Sequence, residues 1–230
     1  MAAVPALHVV RVFVGGADAG GNLLGVFLDG RAIPTRLRPA IAAELGYSET
    51  VFVDDAAAGL VRIFTPGAEL PFAGHPLVGT AWLLDRQGIP VDALRPPAGV
   101  VATWRDGAVT WIRARAAWVS GMTFEQLGSP GEVDALAGAP PGVPVYYAWA
   151  WEDEPAGHVR SRMFGPGFGI VEDEATGMAA VRLGAELARP LVITQGAGSR
   201  LLVAPGPDGT VDVGGRCALV GQRPFDLPAD

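Results

Sequence analysis

Glu49 lies in the segment Gly46–Thr50, with the sequence GYSET, and its carboxyl group could act first as a base and then as an acid. A reaction that moves a proton between two carbons of one molecule needs a group that removes the proton and returns it. Glutamate can do this if partial burial raises its pKa towards the working pH. Without further context, a Ser-Glu-Thr triplet between a helix and a strand is more typical of a solvated turn.

Two predicted helix openings could bind an acidic substrate. Gly74 and His75 begin one helix, and Thr176 and Gly177 begin the other. The first N–H groups of a helix and the positive end of its dipole attract carboxylates. Glycine at such a position lets a ligand come close to the backbone. Each glycine taken alone is as typical of an ordinary helix start.

Composition excludes several kinds of chemistry. All 17 basic residues are Arg, so there is no lysine for a P-loop, a pyridoxal Schiff base or a general base. The net charge is −7 and the arginines form no cluster, which argues against nucleic-acid binding. The glycine-rich segment 15–21 lacks the spacing of a dinucleotide-binding loop.

Metal and thiol chemistry find no support in the sequence. His8, His75 and His158 are far apart, and no two of them have the spacing of metal ligands on a helix. Cys217 is the single cysteine, which excludes a two-cysteine acid/base pair and fits a reducing cytoplasm. The sequence also predicts no signal peptide and no membrane-spanning helix.

Short strands separated by turns are expected to make up most of the chain, because Gly (32) and Pro (20) are frequent. The predicted strands cover 7–14, 22–28, 50–53, 60–64, 100–104, 109–113, 145–151, 159–164, 191–194, 201–204, 211–213 and 217–220. The predicted helices cover 38–45, 75–85, 133–137 and 176–187. Residues 121–130 are predicted to be a linker.

The helices predicted over 75–85 and 176–187 are apolar nearly all round, which indicates that both are buried. Each opens with a Gly/Ala-rich segment after a strand and a loop. Chance similarity is one explanation, and an internal duplication is the other. Duplication would divide the chain into halves 1–120 and 129–230, with the C-terminal tail packing back on the first half.

The motifs and their order resemble those of the PhzF-like (phenazine biosynthesis) isomerases. The matching segments are GNLLGVFLD at 21–29, AAELGYSET at 42–50, RIFTP at 62–66, ELPFAGHP at 69–76 and EDEATGMA at 172–179. This resemblance implies an α+β fold of the diaminopimelate-epimerase type, with two similar domains that each wrap a curled, mostly antiparallel sheet around a central helix. It also implies a homodimer, no cofactor and a small carboxylate-bearing substrate.

The resemblance assigns roles to individual residues. It implies that Glu49 is the general acid/base and that His75 and Asp173 assist it as catalytic residues. It also implies a set of substrate-binding residues, which comprises Asn22, Gly74, Thr176, Gly177 and Met178.

The chain departs from the family pattern in its second half. Met178 stands where the family usually has Ser, which removes a hydroxyl donor to the substrate. Glu174 stands where Pro is usual, and carboxylates at 172–174 would repel an anionic ligand unless some of them point away. The glycine- and arginine-containing segment after the last helix is reduced to residues 195–200.

Two functions follow from these observations. The first is an isomerase or epimerase that shifts a proton on a small carboxylate, with Glu49 as the base. The second is a catalytically inactive small-molecule-binding or regulatory protein, which the loss of the serine at Met178 would favour.

Overall fold

The computed structural model describes residues 4–228, and this part of the chain has an α+β fold, as predicted. The four α-helices are α1 (Arg38–Leu45), α2 (Gly74–Arg86), α3 (Pro130–Asp134) and α4 (Gly177–Leu187). The strands are β1 (Ala6–Val14), β2 (Asn22–Phe27), β3 (Glu49–Asp55), β4 (Leu60–Phe64), β5 (Glu69–Leu70), β6 (Ala93–Leu94), β7 (Val101–Asp106), β8 (Val109–Arg115), β9 (Thr123–Gln126), β10 (Tyr146–Asp153), β11 (His158–Gly165), β12 (Ile170–Asp173), β13 (Leu191–Gln195), β14 (Ser199–Pro205) and β15 (Thr210–Pro224).

The described chain forms two compact units. Unit 1 comprises residues 4–12, 23–112 and 217–228, and unit 2 comprises residues 13–22 and 113–216. The last residues of the described chain therefore belong to unit 1, where the backbone N–H of Phe225 donates to the carbonyl of Pro5. The division into sequence halves 1–120 and 129–230 stays a prediction.

Unit 1 contains a mixed sheet with the strand order β5-β4-β3-β2-β1. β2 and β3 are parallel, whereas β3–β4 and β4–β5 are antiparallel. One face of this sheet carries an aromatic cluster in which Phe27 stacks on Phe52 with ring centroids 5.2 Å apart. Ile41 and Ala42 of α1 pack into the same cluster, so burial of one helix face fixes α1 on the sheet.

Unit 2 contains a second mixed sheet, with the order β15-β14-β13-β11-β10-β9 and with β12 paired to β11. β13–β14, β10–β11 and β11–β12 are antiparallel, and β11–β13 is parallel. Both sheets are therefore mainly antiparallel, with parallel pairs where a longer segment joins two strands.

A glycine brings each long helix close to the strands of its own unit. A Cβ atom at Gly79 in α2 would lie 2.6 Å from Val12 and 2.7 Å from Leu24. A Cβ atom at Gly184 in α4 would lie 2.4 Å from Val203 and 2.8 Å from Val211. Each helix is thus the central helix of its unit, and its approach to the sheet requires a residue without a side chain.

The structure confirms α1 at its predicted bounds. α2 is longer than predicted by one residue at each end, and α4 begins one residue later than predicted. The prediction of a linker over 121–130 was wrong, because residues 123–126 form β9, parallel to β10. Phe124 of β9 packs against Tyr147 with ring centroids 5.1 Å apart. This contact with a residue distant in sequence stabilises the strand.

Two further predictions need correction. The strands predicted at 211–213 and 217–220 are one strand, β15, which continues through Gly214 and Gly215. A side chain at Gly215 would collide with Phe13, so this glycine serves close packing rather than a turn. The short helix predicted at 133–137 begins earlier, because Ser129 caps it and Pro130 occupies its first turn.

No helix within residues 4–228 is long and apolar enough to cross a membrane.

We expect Gly79→Ala and Gly184→Ala to lower the free energy of unfolding, although alanine is the better helix former. Overpacking of a core costs about 1–3 kcal/mol, whereas the gain in helix propensity is about 1 kcal/mol. Urea denaturation measures both variants. Gly67→Ala is the control, since a Cβ atom there would meet nothing within 4 Å. Greater stability of both helix variants would contradict the close-packing role.

Candidate active site

Glu49 and His75 lie side by side in unit 1. α1 ends at Leu45 and is capped by Gly46, which adopts a left-handed conformation with φ of 66°, and the chain then enters β3 at Glu49. His75 is the second residue of α2. Its Nε2 atom lies 3.2 Å from Glu49 Oε2, and the exposed fractions of the two side chains are 4% and 12%.

Burial has a strong effect on the imidazole of this pair. It lowers the pKa of His75 from its ordinary value of 6.5 to about 3, because a charged ring inside the protein loses its hydration. An anionic Glu49 would oppose this effect by favouring the protonated ring. Because burial is nearly complete, His75 is neutral at physiological pH.

Asp173 is the centre of a hydrogen-bonded group in unit 2. Asn22 Nδ2 donates to Asp173 Oδ1 at 2.7 Å and to the Ala175 carbonyl at 3.1 Å. The Thr176 hydroxyl donates to Asp173 Oδ2 at 2.6 Å. Gln195 completes the group, with its Nε2 atom 2.8 Å from the Thr176 hydroxyl. All four of these hydrogen-bonding side chains are buried.

Opposing influences act on the Asp173 carboxyl. Burial raises the pKa of Asp173 from 3.8 to about 6, and the nearby charges of Glu174 and Glu172 also raise it. The hydrogen bonds from Thr176 and Asn22 lower it, because they stabilise the ionised form. With a pKa of about 6, this nearly inaccessible carboxyl is mainly ionised at physiological pH, because the hydrogen bonds limit the effect of burial.

The three consecutive acidic residues have separate partners. Arg162 forms two hydrogen bonds to Glu172, at 2.8 and 2.7 Å. Glu174 accepts hydrogen bonds from the Ala197 N–H at 3.0 Å and from the Ser199 hydroxyl at 2.6 Å. Alternation along the extended chain directs residues 172 and 174 away from residue 173. The expected mutual repulsion is thus reduced, because only Asp173 belongs to the group with Asn22.

Glu174, Gln195 and Ser199 belong to this part of the molecule, but the sequence did not identify the last two as site residues. Ser199 accepts a hydrogen bond from the Gly21 N–H at 2.7 Å and donates to Glu174. The turn 195–199 therefore binds the carboxylate that replaces the usual proline. The sequence held two signals of this change: the glutamate at 174 in place of proline, and the reduced segment at 195–200.

The structure thus places the predicted residues in two groups, one in each unit. Unit 1 holds Glu49, Gly74 and His75, with Gly74 as the first residue of α2. Unit 2 holds the others: Asn22, Asp173, Thr176, Gly177 and Met178. Neither helix opening is capped by the side chain of its own N-cap residue, and Met178 is half-buried in the first turn of α4.

Within the described residues, no three His, Cys, Asp or Glu side chains are grouped as metal ligands.

We expect the contribution of His75 to stability to fall as the pH is lowered from 6.5 towards 3. In this window the unfolded chain protonates the imidazole, whereas the folded protein, in which the pKa of His75 is about 3, does not. The free energy of unfolding of the natural protein should then fall by about 1.4 kcal/mol per pH unit relative to His75→Gln. Urea denaturation between pH 4.5 and 7.5 measures this difference. A difference that changes in the opposite direction would show that Glu49 holds a proton on the ring.

We expect Glu174→Ala to lower the free energy of unfolding by about 1–3 kcal/mol, because it leaves the Ala197 N–H and the Ser199 hydroxyl without their charged acceptor. Thermal or urea denaturation measures the loss. Glu154→Ala is the matched control, since Glu154 is exposed in a turn of the same unit. Equal stability of the two variants would contradict the role of Glu174 in holding the 195–199 turn.

Comparison with known proteins places this chain in a family. The family model of the phenazine biosynthesis-like proteins (PhzC-PhzF) matches residues 11–113. The trans-2,3-dihydro-3-hydroxyanthranilate isomerase of Pseudomonas fluorescens is 35% identical over an alignment of 209 positions, and the alignment covers 74% of this chain and 75% of that protein.

Solved structures show the same fold. A PhzF-family protein from Enterococcus faecalis superposes with a TM-score of 0.80 at 20% identity, covering 97% of this chain and 99% of the other. A hydroxyproline epimerase from Agrobacterium vitis gives a TM-score of 0.63 at 13% identity, covering 96% and 90%. The diaminopimelate-epimerase-like fold class is thereby confirmed. The chain belongs to the phenazine biosynthesis-like (PhzC-PhzF) family and is an isomerase.

Proposed function

We propose that this isomerase shifts a proton on a small carboxylate substrate without a cofactor and that Glu49 is its general acid/base. The observation that carries this proposal is the contact between Glu49 Oε2 and His75 Nε2, 3.2 Å apart in a largely buried position. A carboxyl group with limited access to water that lies beside a titratable ring is a suitable acid/base catalyst.

The proposed reaction conserves atoms and electrons. Glu49 takes a proton from one carbon, and the electron pair of the broken C–H bond moves into the adjacent unsaturated or carboxylate-bearing system. The protonated Glu49 then returns the proton, either to another carbon or to the opposite face of the same carbon. Substrate and product have the same composition, so no redox partner is required.

His75 would support both forms of Glu49. A neutral imidazole presents an N–H at Nε2 in one tautomer and a lone pair in the other. After a small adjustment of the 3.2 Å contact, the first form would donate to the Glu49 carboxylate and the second would accept from the carboxylic acid. A permanently charged imidazolium would favour the carboxylate alone, so the burial that keeps His75 neutral suits a group that must exist in both states.

Each helix opening could bind a carboxylate. Gly74 and Gly177 are the first residues of α2 and α4, where backbone N–H groups and the helix dipole favour an anion. Asn22 and Asp173 would hold the start of α4 in place. Thr176 is the N-cap residue, the last residue before the helix. Met178 would offer an apolar contact where the family usually offers a hydroxyl.

The relatives suggest the first compound to test, which is trans-2,3-dihydro-3-hydroxyanthranilate, the compound named in the activity of the Pseudomonas fluorescens isomerase. We further propose that the protein works as a homodimer in the cytoplasm. The family resemblance supports the dimer, and the single cysteine, Cys217, supports the reducing compartment.

We expect Glu49→Gln to lower kcat by about 10²–10⁴-fold, because glutamine cannot accept or return the proton. The measurement is deuterium incorporation from D₂O into trans-2,3-dihydro-3-hydroxyanthranilate and a panel of hydroxy- and amino-carboxylates, followed by NMR. Glu44→Gln is the control, since this exposed residue of α1 undergoes the same chemical change. Exchange that persists at the natural rate in Glu49→Gln would exclude Glu49 as the acid/base.

A further inference from the structure

Gln195 is a fully buried residue at the end of β13, and every polar group of its side chain is used. Its Nε2 atom donates to the Asp173 carbonyl and to the Thr176 hydroxyl, both at 2.8 Å. Its Oε1 atom accepts from the Thr176 backbone N–H at 3.2 Å. Gln195 thus connects β13 to the end of β12 and to the residue that precedes α4.

Two backbone groups decide which way the amide of Gln195 faces. The Thr176 N–H can only donate, and the Asp173 carbonyl can only accept. Exchanging the oxygen and nitrogen of the amide would place two donors against each other and two acceptors against each other. Because these backbone groups are fixed by β12 and α4, the orientation of the amide is fixed as well.

The amide in turn fixes the hydroxyl of Thr176. A threonine hydroxyl has one proton and two lone pairs. Since Gln195 Nε2 donates to the Thr176 oxygen, the hydroxyl proton must point elsewhere, and Asp173 Oδ2 lies 2.6 Å away. The same hydroxyl does not cap α4, although Thr176 is its N-cap residue. The direction of donation is therefore from Gln195 to Thr176 to Asp173.

The charges around Asp173 show why this direction matters. Glu172 and Glu174 flank it in sequence and disfavour its anion, as does its own burial. The opposing groups are neutral donors, namely Asn22 on one carboxylate oxygen and Thr176 on the other. If the Thr176 hydroxyl turned away, one carboxylate oxygen would lose a donor that buried anions require.

We propose that Gln195 is a positioning residue, which fixes the Thr176 hydroxyl as a donor and so keeps Asp173 in its anionic form. Gln195 acts on the Asp173 carboxylate through the Thr176 hydroxyl, since its direct hydrogen bond to Asp173 is to the backbone carbonyl. Its importance for turnover rests on the proposed function, because the resemblance makes Asp173 a catalytic residue. Its effect on the protonation of Asp173 does not depend on turnover.

The test is an NMR titration of the Asp173 carboxyl in protein labelled with ¹³C at the aspartate carboxyl carbon, with Asp173→Asn to assign the signal. We expect Gln195→Met to raise the titration midpoint by roughly one pH unit, a tenfold change in proton affinity. Thr176→Val should raise it as much, and Thr176→Ser should leave it unchanged. Gln126→Met, on exposed β9, is the matched control and should have no effect.

The double variant Gln195→Met/Thr176→Val separates this proposal from a general loosening of the fold. If Gln195 acts through Thr176, the double variant should match Thr176→Val alone. Additive shifts, or an unchanged midpoint in Gln195→Met, would overturn the proposal. Where Gln195→Met does not fold, Gln195→Leu replaces it, because it also removes both N–H donors and adds no charge beside Asp173.

Activity measurements then distinguish the two proposals. A raised titration midpoint of Asp173, together with a kcat/KM that falls at pH values below this midpoint, would support both the role of Gln195 and the proposed function. A raised midpoint with an unchanged pH profile of kcat/KM would support the role of Gln195 and argue against Asp173 as a catalytic residue. An unchanged midpoint would overturn the role of Gln195 whatever the activity of the variant.

Discussion

Burial of the Asp173 carboxylate imposes the tightest constraint on unit 2. A carboxylate removed from water loses its hydration, and donors at both oxygens must offset that loss. Asn22 and Thr176 supply these donors, so the start of β2, the end of β12 and the opening of α4 must come together at Asp173. Gln195 extends the same requirement to the end of β13. The position of the α4 N-terminus thus follows from the need to satisfy one buried anion.

Much of the fold could be predicted from the sequence because its signals are local. α1 has an apolar face and ends at a glycine, and the two central helices are apolar nearly all round. β9 was missed because the burial that stabilises Phe124 is provided by Tyr147, which lies far along the chain. β15 was divided in two because a glycine pair usually indicates a turn, whereas Gly215 makes room for Phe13. Each error arose where packing between distant segments outweighed a local preference.

The candidate site shows the same contrast between local and distant information. The motif residues Glu49 and His75 could be named in advance, and the structure places them in contact. Gln195 could not be identified as a site residue, because no sequence pattern around a glutamine in a strand predicts that its side chain makes three buried hydrogen bonds. Glu174 was recognised as unusual, but its partners lie in the turn after β13, and only the folded chain shows that the turn binds this carboxylate.

The two candidate acids are held in chemically different ways, and the difference supports the division of roles proposed above. Asp173 receives hydrogen bonds from donors whose orientation is fixed, which stabilises one protonation state in one position. Glu49 faces a neutral imidazole that can match either protonation state. A residue that must take up a proton and release it in each turnover needs an environment that tolerates both forms. The pairing with His75 gives Glu49 such an environment, whereas the fixed donors around Asp173 suit an anion that stays in place.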